Sequence, residues 1–391
     1  MRAHTREKAS EIGMKCTVET VRTKRQMNDF LALPRKIYRG NPNYVPDWES
    51  DVRKWFNPKH NPGLAHCDVV PFVAYSEEGE PVGRVVGIIN HKANQIWKGS
   101  CVRFGWIEFV DDDDVSRALL KAVEEWGRQK GMGSIQGPLG ISDFDKEGML
   151  VEDFDKMGSQ ITIYNPPYYP EHMMRHGYGK EVDWVQVKVE VPAEVPERFA
   201  RVDGLVKDMY GLKVKKLTHD EVFNGGYGRK IFRLLNEAYS QLFGYTPHTD
   251  EEADAFVAEY VPMLDLKMLP MVEDSEGNLI ACSITMPNLS RALQKSGGRL
   301  FPFGWFHMLR ALKFKHEEEV ELLLIAVHPE WQALGINALL FADLIPLFNE
   351  KGFRYAETGP MLEDNMKVLT QWKVFNHTVC KRRRCFSKAI K

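Results

Sequence analysis

VELLLIAVHPEWQALGINALLFADLIPLFNEKGFRYAE, residues 320–357, decides the fold. Its first eight residues, Val320 to Val327, are almost wholly apolar and read as a buried strand. Pro329 cannot donate to a sheet ladder, so the strand ends there. Helical periodicity starts at Asn337 and places Ala338, Leu339, Phe341, Ala342, Ile345 and Phe348 on one side. Gly352 closes the helix, and Phe353 to Glu357 reads as the next strand. A strand–loop–helix unit exposes backbone N–H groups at the helix N-terminus, where the macrodipole favours negative charge and phosphate binds readily. Gly335 allows close approach to the backbone, and Asn337 is read as a helix cap.

Val327, Pro329, Trp331, Gln332 and Gly335 resemble the acetyl-CoA-binding motif of the GCN5-related N-acetyltransferase (GNAT) superfamily. Asn337 departs from it, standing where that motif prefers a tiny residue.

Bulk properties narrow the classes. The chain has 391 residues, 43% hydrophobic and 27% charged, values of a globular protein long enough for two or three domains. A net charge of -2 argues against a nucleic-acid binder. The six cysteines form no CxxC pair and no zinc spacing, so free thiols and no metal are expected. Residues 1–14 are polar and read as a disordered tail rather than a secretory signal, and no apolar run is long enough to span a bilayer. A cytoplasmic protein is expected, with weak peripheral contact at the inner membrane face.

In chain order, an aromatic-rich cover over 41–62 precedes a hairpin (Val69–Tyr75, Pro81–Asn90), a strand from Cys101, a helix from Val115 to Lys130 and a strand at Ser134–Gly137. This order repeats in the second half, so the fold expected is α/β (α+β): two tandem GNAT-like domains, each a mixed, mostly antiparallel sheet flanked by helices. The boundaries expected are 15–190, a linker at 191–199, and 200–391. The first copy carries Asp111 to Asp114 where pyrophosphate would lie; four carboxylates beside a polyanion repel it, so this copy is degenerate and Asp114 reads as a helix cap.

The segments ITIYNPPYY (161–169), LNEAYSQLFGYTPHT (235–249), GRLFPFG (298–304), the 320–357 unit and LEDN (362–365) are together similar to one bacterial family of tandem GNAT proteins. That family is itself similar to the bacterial ceramide synthase acyltransferases. The resemblance covers about residues 16–390 and implies an acyl-CoA or acyl carrier protein donor and an amine acceptor, sphingoid-type lipid amines included.

On that resemblance, Ile325, Ala326 and Val327 would hold the pantetheine arm, as an added strand is held. Gln332, Ala333, Leu334, Gly335, Ile336 and Asn337 would meet the pyrophosphate, with Asn365 also on the cofactor. Asn165, Tyr168 and Asn236 are the acceptor candidates; the prolines of 161–170 leave Tyr164, Asn165, Tyr168 and Tyr169 exposed for contacts. Glu357, at a strand end in apolar surroundings, is the expected base, with Glu321 as runner-up. The position of the usual tyrosine acid is Trp372, so Tyr164, Tyr355 or water must protonate the leaving thiolate. A CoA- or lipid-binding protein without catalysis is the alternative. An aminoacyl-tRNA-dependent enzyme would need a basic surface that neither half shows. Finally, Leu300 to Lys315 reads as a helix from Trp305 with an apolar stripe beside Arg310, Lys313 and Lys315, the pattern of an interfacial helix for weak, reversible contact with anionic membranes.

Overall fold

In the computed structural model, which describes residues 15–390, every strand joins one 14-stranded sheet. The expected tail at 1–14 lies outside the described residues. The strands are β1 (Cys16–Thr20), β2 (Cys67–Ser76), β3 (Pro81–Asn90), β4 (Cys101–Phe109), β5 (Ser134–Gly137), β6 (Met149–Glu152) and β7 (Gly179–Glu190). They continue as β8 (Lys213–Lys215), β9 (Met271–Glu273), β10 (Leu279–Pro287), β11 (Glu319–Val327), β12 (Tyr355–Thr358), β13 (Met361–Leu362) and β14 (His377–Ala389). Their spatial order is β1-β2-β3-β4-β5-β14-β7-β12-β11-β10-β9-β8, with β13 beside β7 and β6 beside β14. Most pairs are antiparallel; β4–β5 and β11–β12 are parallel, each joined through one helix.

Two strands are exchanged between the halves. β7, from the first half, pairs with β12, while β14, the last strand, lies between β5 and β7. The expected linker at 191–199 runs from the end of β7 into a helix that begins at Glu197. A cut there separates the sequence but not the sheet.

The helix Asn337–Lys351 packs on the second half's sheet through Ala338, Phe341, Leu344, Ile345 and Phe348, all buried. Phe199 stacks on Phe341 at 5.5 Å between ring centroids, and Trp372 meets Phe341 edge-on at 5.6 Å. Each such buried aromatic contributes about 1.5–3 kcal/mol. In the first half, Asp113–Gln129 buries Val115, Leu119, Leu120 and Val123 against β3 and β4. Its cap is Asp112, whose side chain accepts from the N–H groups of Asp114 and Val115, and not the expected Asp114. All six cysteines are free, and among the described residues no helix is long and apolar enough to cross a membrane.

Candidate active site

β11 and β12 run in parallel register only from Glu319–Tyr355 to Leu322–Thr358, and then part. Gly359 N–H makes the last contact, on the Leu322 carbonyl at 2.8 Å. Beyond it β11 continues to Val327 paired with β10 alone. A bulge at Leu323, opposite the Ile284–Thr285 step, bends β11 at the fork. The open edge therefore falls on Leu323 to Val327, which takes in the expected pantetheine residues Ile325, Ala326 and Val327. The Ile325 carbonyl already accepts the Tyr239 hydroxyl at 3.0 Å, and the Val327 carbonyl the Gln332 amide at 3.2 Å.

Past the fork, the chain turns tightly over Pro329–Trp331 and then alternates in hand: Ala333 has φ +67° and Gly335 φ +85°. Gly335 is left-handed and Ile336 right-handed, and such a step turns successive N–H groups toward one side, as in an anion nest. Holding an alanine there costs about 1–2 kcal/mol. Among the described residues no hydrogen bond is donated by the N–H of Ala333, Gly335 or Ile336. A Cβ on Gly335 would lie 2.7 Å from Val202 Cγ1, so glycine is required by packing as well as by φ. Ile336, not Asn337, is the cap of the following helix; Asn337 instead donates to Gln371 Oε1 at 2.7 Å and ties that helix to Met366–Gln371. Asn365 caps the latter helix, and Lys367 on that helix lines, as Arg198 does, the cavity described below.

Two carboxylates lie side by side on the β11–β12 pair, Glu321 opposite Glu357. They differ sharply in partners. Glu357 Oε1 takes Lys381 Nζ at 2.5 Å and Gln186 Nε2 at 3.0 Å. Lys381 reaches it from a bulge in β14, with φ +58°. The expected apolar setting of Glu357 is thus corrected: its charge is matched by a buried ammonium. Glu321 is 2% exposed, and neither of its oxygens has a hydrogen-bond partner. Burial, reinforced by the charge of Glu357, pushes its carboxyl up to about 8. Leu323, the next residue outward facing the Met286–Leu289–Met308 cluster, lines the cavity described below.

The other expected site residues are used inside the protein. Tyr164 is buried, donates to the Phe154 carbonyl at 3.0 Å and accepts from Asn41. Asn165, fully buried, exchanges two hydrogen bonds with the Leu150 backbone, as a neighbouring strand would. Tyr168 donates to the Phe109 carbonyl at 2.7 Å, and Tyr169 is buried against Glu108. Asn236 binds Tyr245 Oη and both backbone groups of His248, pinning the 244–248 turn. The expected exposure of Tyr164, Asn165 and Tyr169 is thereby corrected, because each is buried with its polar group bonded inside the protein. Trp372 is buried with its N–H on Met361 Sδ, so it offers no acid.

A cavity of about 2050 Å³ joins the fork to the first half. Leu323, Leu324, Ile325 and the loop 331–337 line one end; Trp48, Trp55, Trp106 and Trp184 line another part. Asp143, Asp145 and Glu147 share the wall, all half-buried. Burial raises all three, Asp143 to about 7, and Asp143 Oδ1 accepts no hydrogen bond. Sequence reasoning saw only a turn in GPLGISDFDKE; the signal in it was three carboxylates at alternate positions around Phe144. Tyr239, also on the wall, was likewise passed over.

No protein-family model matches the chain. Solved structures align over nearly its whole length. A GCN5-related N-acetyltransferase from Sphaerobacter thermophilus covers 96% of each chain at TM-score 0.53 and 12% identity. A tandem GNAT protein from the clavulanic acid biosynthesis pathway covers 96% of this chain and 99% of its own at TM-score 0.54 and 12% identity. This is a tandem GNAT fold. Among curated proteins, the chain is 26% identical over 319 residues to the bacterial ceramide synthase of Caulobacter vibrioides, covering 81% of each. It is 25% identical over 393 residues to protein YghO of Escherichia coli K12, covering 95% of each.

The unpartnered Glu321 has a thermodynamic signature. Its folded-state pKa is raised from 4.5 to about 8, so between those values the folded chain holds a proton that the unfolded chain has released. Stability therefore falls as pH rises through that window and levels off above it. In Glu321→Gln this part of the decline is expected to vanish, as read from denaturant midpoints at pH 5 to pH 9. An unchanged slope would mean that Glu321 is ionised in the folded state.

Proposed function

We propose that the chain transfers an acyl group from a CoA or carrier-protein thioester to the amine of an amphiphile. The observation that carries this reading is the parting of β11 from β12 above the nest at Ala333–Ile336, opening into a cavity shared with Asp143, Asp145 and Glu147. The open edge accepts a pantetheine arm, the nest accepts pyrophosphate, and Arg198 and Lys367 line the same cavity. Carboxyl groups whose proton affinity burial has raised, set among indoles, gain most by ionising beside an ammonium that carries an apolar chain. Similarity to a protein named bacterial ceramide synthase agrees with a lipid amine.

In this reading the amine nitrogen attacks the thioester carbonyl, and its proton passes through water to Glu321. The C–S bond then breaks, and Tyr239, at the Ile325 carbonyl of the open edge, protonates the thiolate. Tyr239 is reset by the proton held on Glu321, while the proton shed earlier, as the ammonium became an amine, goes to solvent. Glu357 remains paired with Lys381 and keeps Glu321 basic. A second reading, CoA binding without catalysis, is favoured by Trp372 in place of a tyrosine acid and by the burial of Glu321. Acyl transfer from palmitoyl-CoA to sphinganine, followed by mass spectrometry, separates the two. Glu321→Gln is expected to lower turnover by about 10²–10⁴-fold with donor binding retained, and Gly335→Glu to remove donor binding. Donor binding without any product supports the second reading.

The amphiphile is proposed to arrive from an anionic bilayer. The helix Gly304–Lys313 buries Met308 and Ala311, and Met308 lines the cavity. On the outside, Phe301 is 79% exposed, Phe303 73% and Phe314 78%, with Trp305, Phe306 and Leu309 beside them. Among the described residues, exposed Lys295, Arg310, Lys313 and Lys315 near this patch have no carboxylate partner. Aromatic groups ringed by unneutralised cations match an anionic interface. Wild-type protein is expected to float with phosphatidylglycerol vesicles at low salt, and Phe301→Ser/Phe303→Ser to stay behind. Equal behaviour of the two proteins contradicts the docking role. Dimerisation lost in the same variant would make the patch a protein interface instead.

A further inference from the structure

The four aspartates at 111–114 have no part in the acyl site, yet they are not simply a solvated turn. The helix Tyr168–Arg175 and its cap place His172 and His176 one turn apart, facing the start of the helix Asp113–Gln129. His172 Nδ1 and His176 Nε2 converge on one point, the Ser116 hydroxyl, at 2.7 and 2.8 Å. Asp113 Oδ1 lies 3.8 Å from His176 Nε2, is shielded from solvent and accepts no hydrogen bond. The ligating atoms of Asp113, His172 and His176 all fall within 4.8 Å of one another. The far nitrogen of His172, Nε2, is held by Asp111 Oδ1 at 2.9 Å. A carboxylate behind a histidine fixes the tautomer and ring orientation that metal binding needs.

We propose that Asp113, His172 and His176 bind a zinc ion, with Asp111 orienting His172. Two imidazoles and one carboxylate are a zinc donor set and leave a fourth position for water or the Ser116 hydroxyl. Bonds of about 2.0–2.1 Å at tetrahedral angles need ligand atoms about 3.3–3.5 Å apart, so the side chains close by roughly an ångström. Ser116 can release the rings, because its hydroxyl also lies 3.1 Å from the Asp113 carbonyl. Arg117 pairs with Asp113, and Arg175 Nε lies 3.3 Å from Asp113 Oδ1; both arginines are about half exposed and can turn to solvent as the ion enters. The ion would clamp the two helices together at the β4–helix junction. In the second half the matching β11–helix junction carries the anion nest, so the two copies would hold opposite charges at corresponding places.

The test uses the full chain, stripped with chelator and titrated with zinc chloride, then with cobalt chloride. One equivalent of zinc is expected, with the visible bands of tetrahedral cobalt. Asp111→Asn is expected to weaken affinity by about 10–100-fold, the usual cost of losing such a partner. His176→Gln, whose amide can still bond Ser116, is expected to lose stoichiometric binding, and Asp113→Asn, at a half-exposed position, gives the same readout should the glutamine variant misfold. Absence of stoichiometric uptake by the wild-type chain, or uptake unchanged in His176→Gln and Asp113→Asn, overturns the proposal and leaves Ser116 as the bridge between two structural histidines.

Discussion

β12 leaves β11 after Thr358, and much of the molecule answers to that parting. A strand deprived of its neighbour in mid-sheet exposes backbone groups that cost free energy unless something binds them. Here a bulge at Leu323 falls at the fork, and the Tyr239 hydroxyl covers one carbonyl. The edge is therefore not aggregation-prone surface but the wall of a cavity, roofed by residues of the other half. Strand exchange makes this possible. β7 pairs with β12 below the fork and β14 pairs with β7, so the halves cannot separate without breaking the sheet that positions the cavity.

The same exchange sets the electrostatics. Lys381 belongs to β14 and reaches Glu357 only because that strand lies beside β7, with a bulge that turns the lysine inward. One carboxylate of the pair thus gains a buried counter-ion while its neighbour, Glu321, gains none. Two adjacent carboxyls therefore sit in different environments, and burial beside Glu357 raises the proton affinity of Glu321.

This division was not legible in the sequence. Alternation and β-branching identify a strand, but not which strand lies beside it, so Lys381 had no visible link to Glu357, and strand-end position alone ranked Glu357 ahead of Glu321. The fork itself was legible, since Pro329, Gln332 and Gly335 follow an apolar run at fixed offsets and glycine is demanded by φ and by Val202 alike. Elsewhere polar residues misled. Asn165 and Asn236 look like acceptor contacts in a sequence, yet Asn165 completes the backbone hydrogen bonds of strand β6 and Asn236 those of the 244–248 turn. Only the partner distinguishes these uses, and partners come from tertiary structure. The acidic turn at Asp143–Glu147 was overlooked for the converse reason: its importance lies in the cavity it faces, not in its local pattern.

Hydrogen exchange of the whole protein with and without CoA tests the central claim most directly, because it reads the open edge and the nest without presuming an acceptor. CoA is expected to slow exchange at Leu324–Val327 and Ala333–Asn337 together, leaving the corresponding junction of the first half, Val110–Ser116, unchanged. Protection confined to Val110–Ser116, or none in the 324–337 segment at saturating CoA, would contradict it.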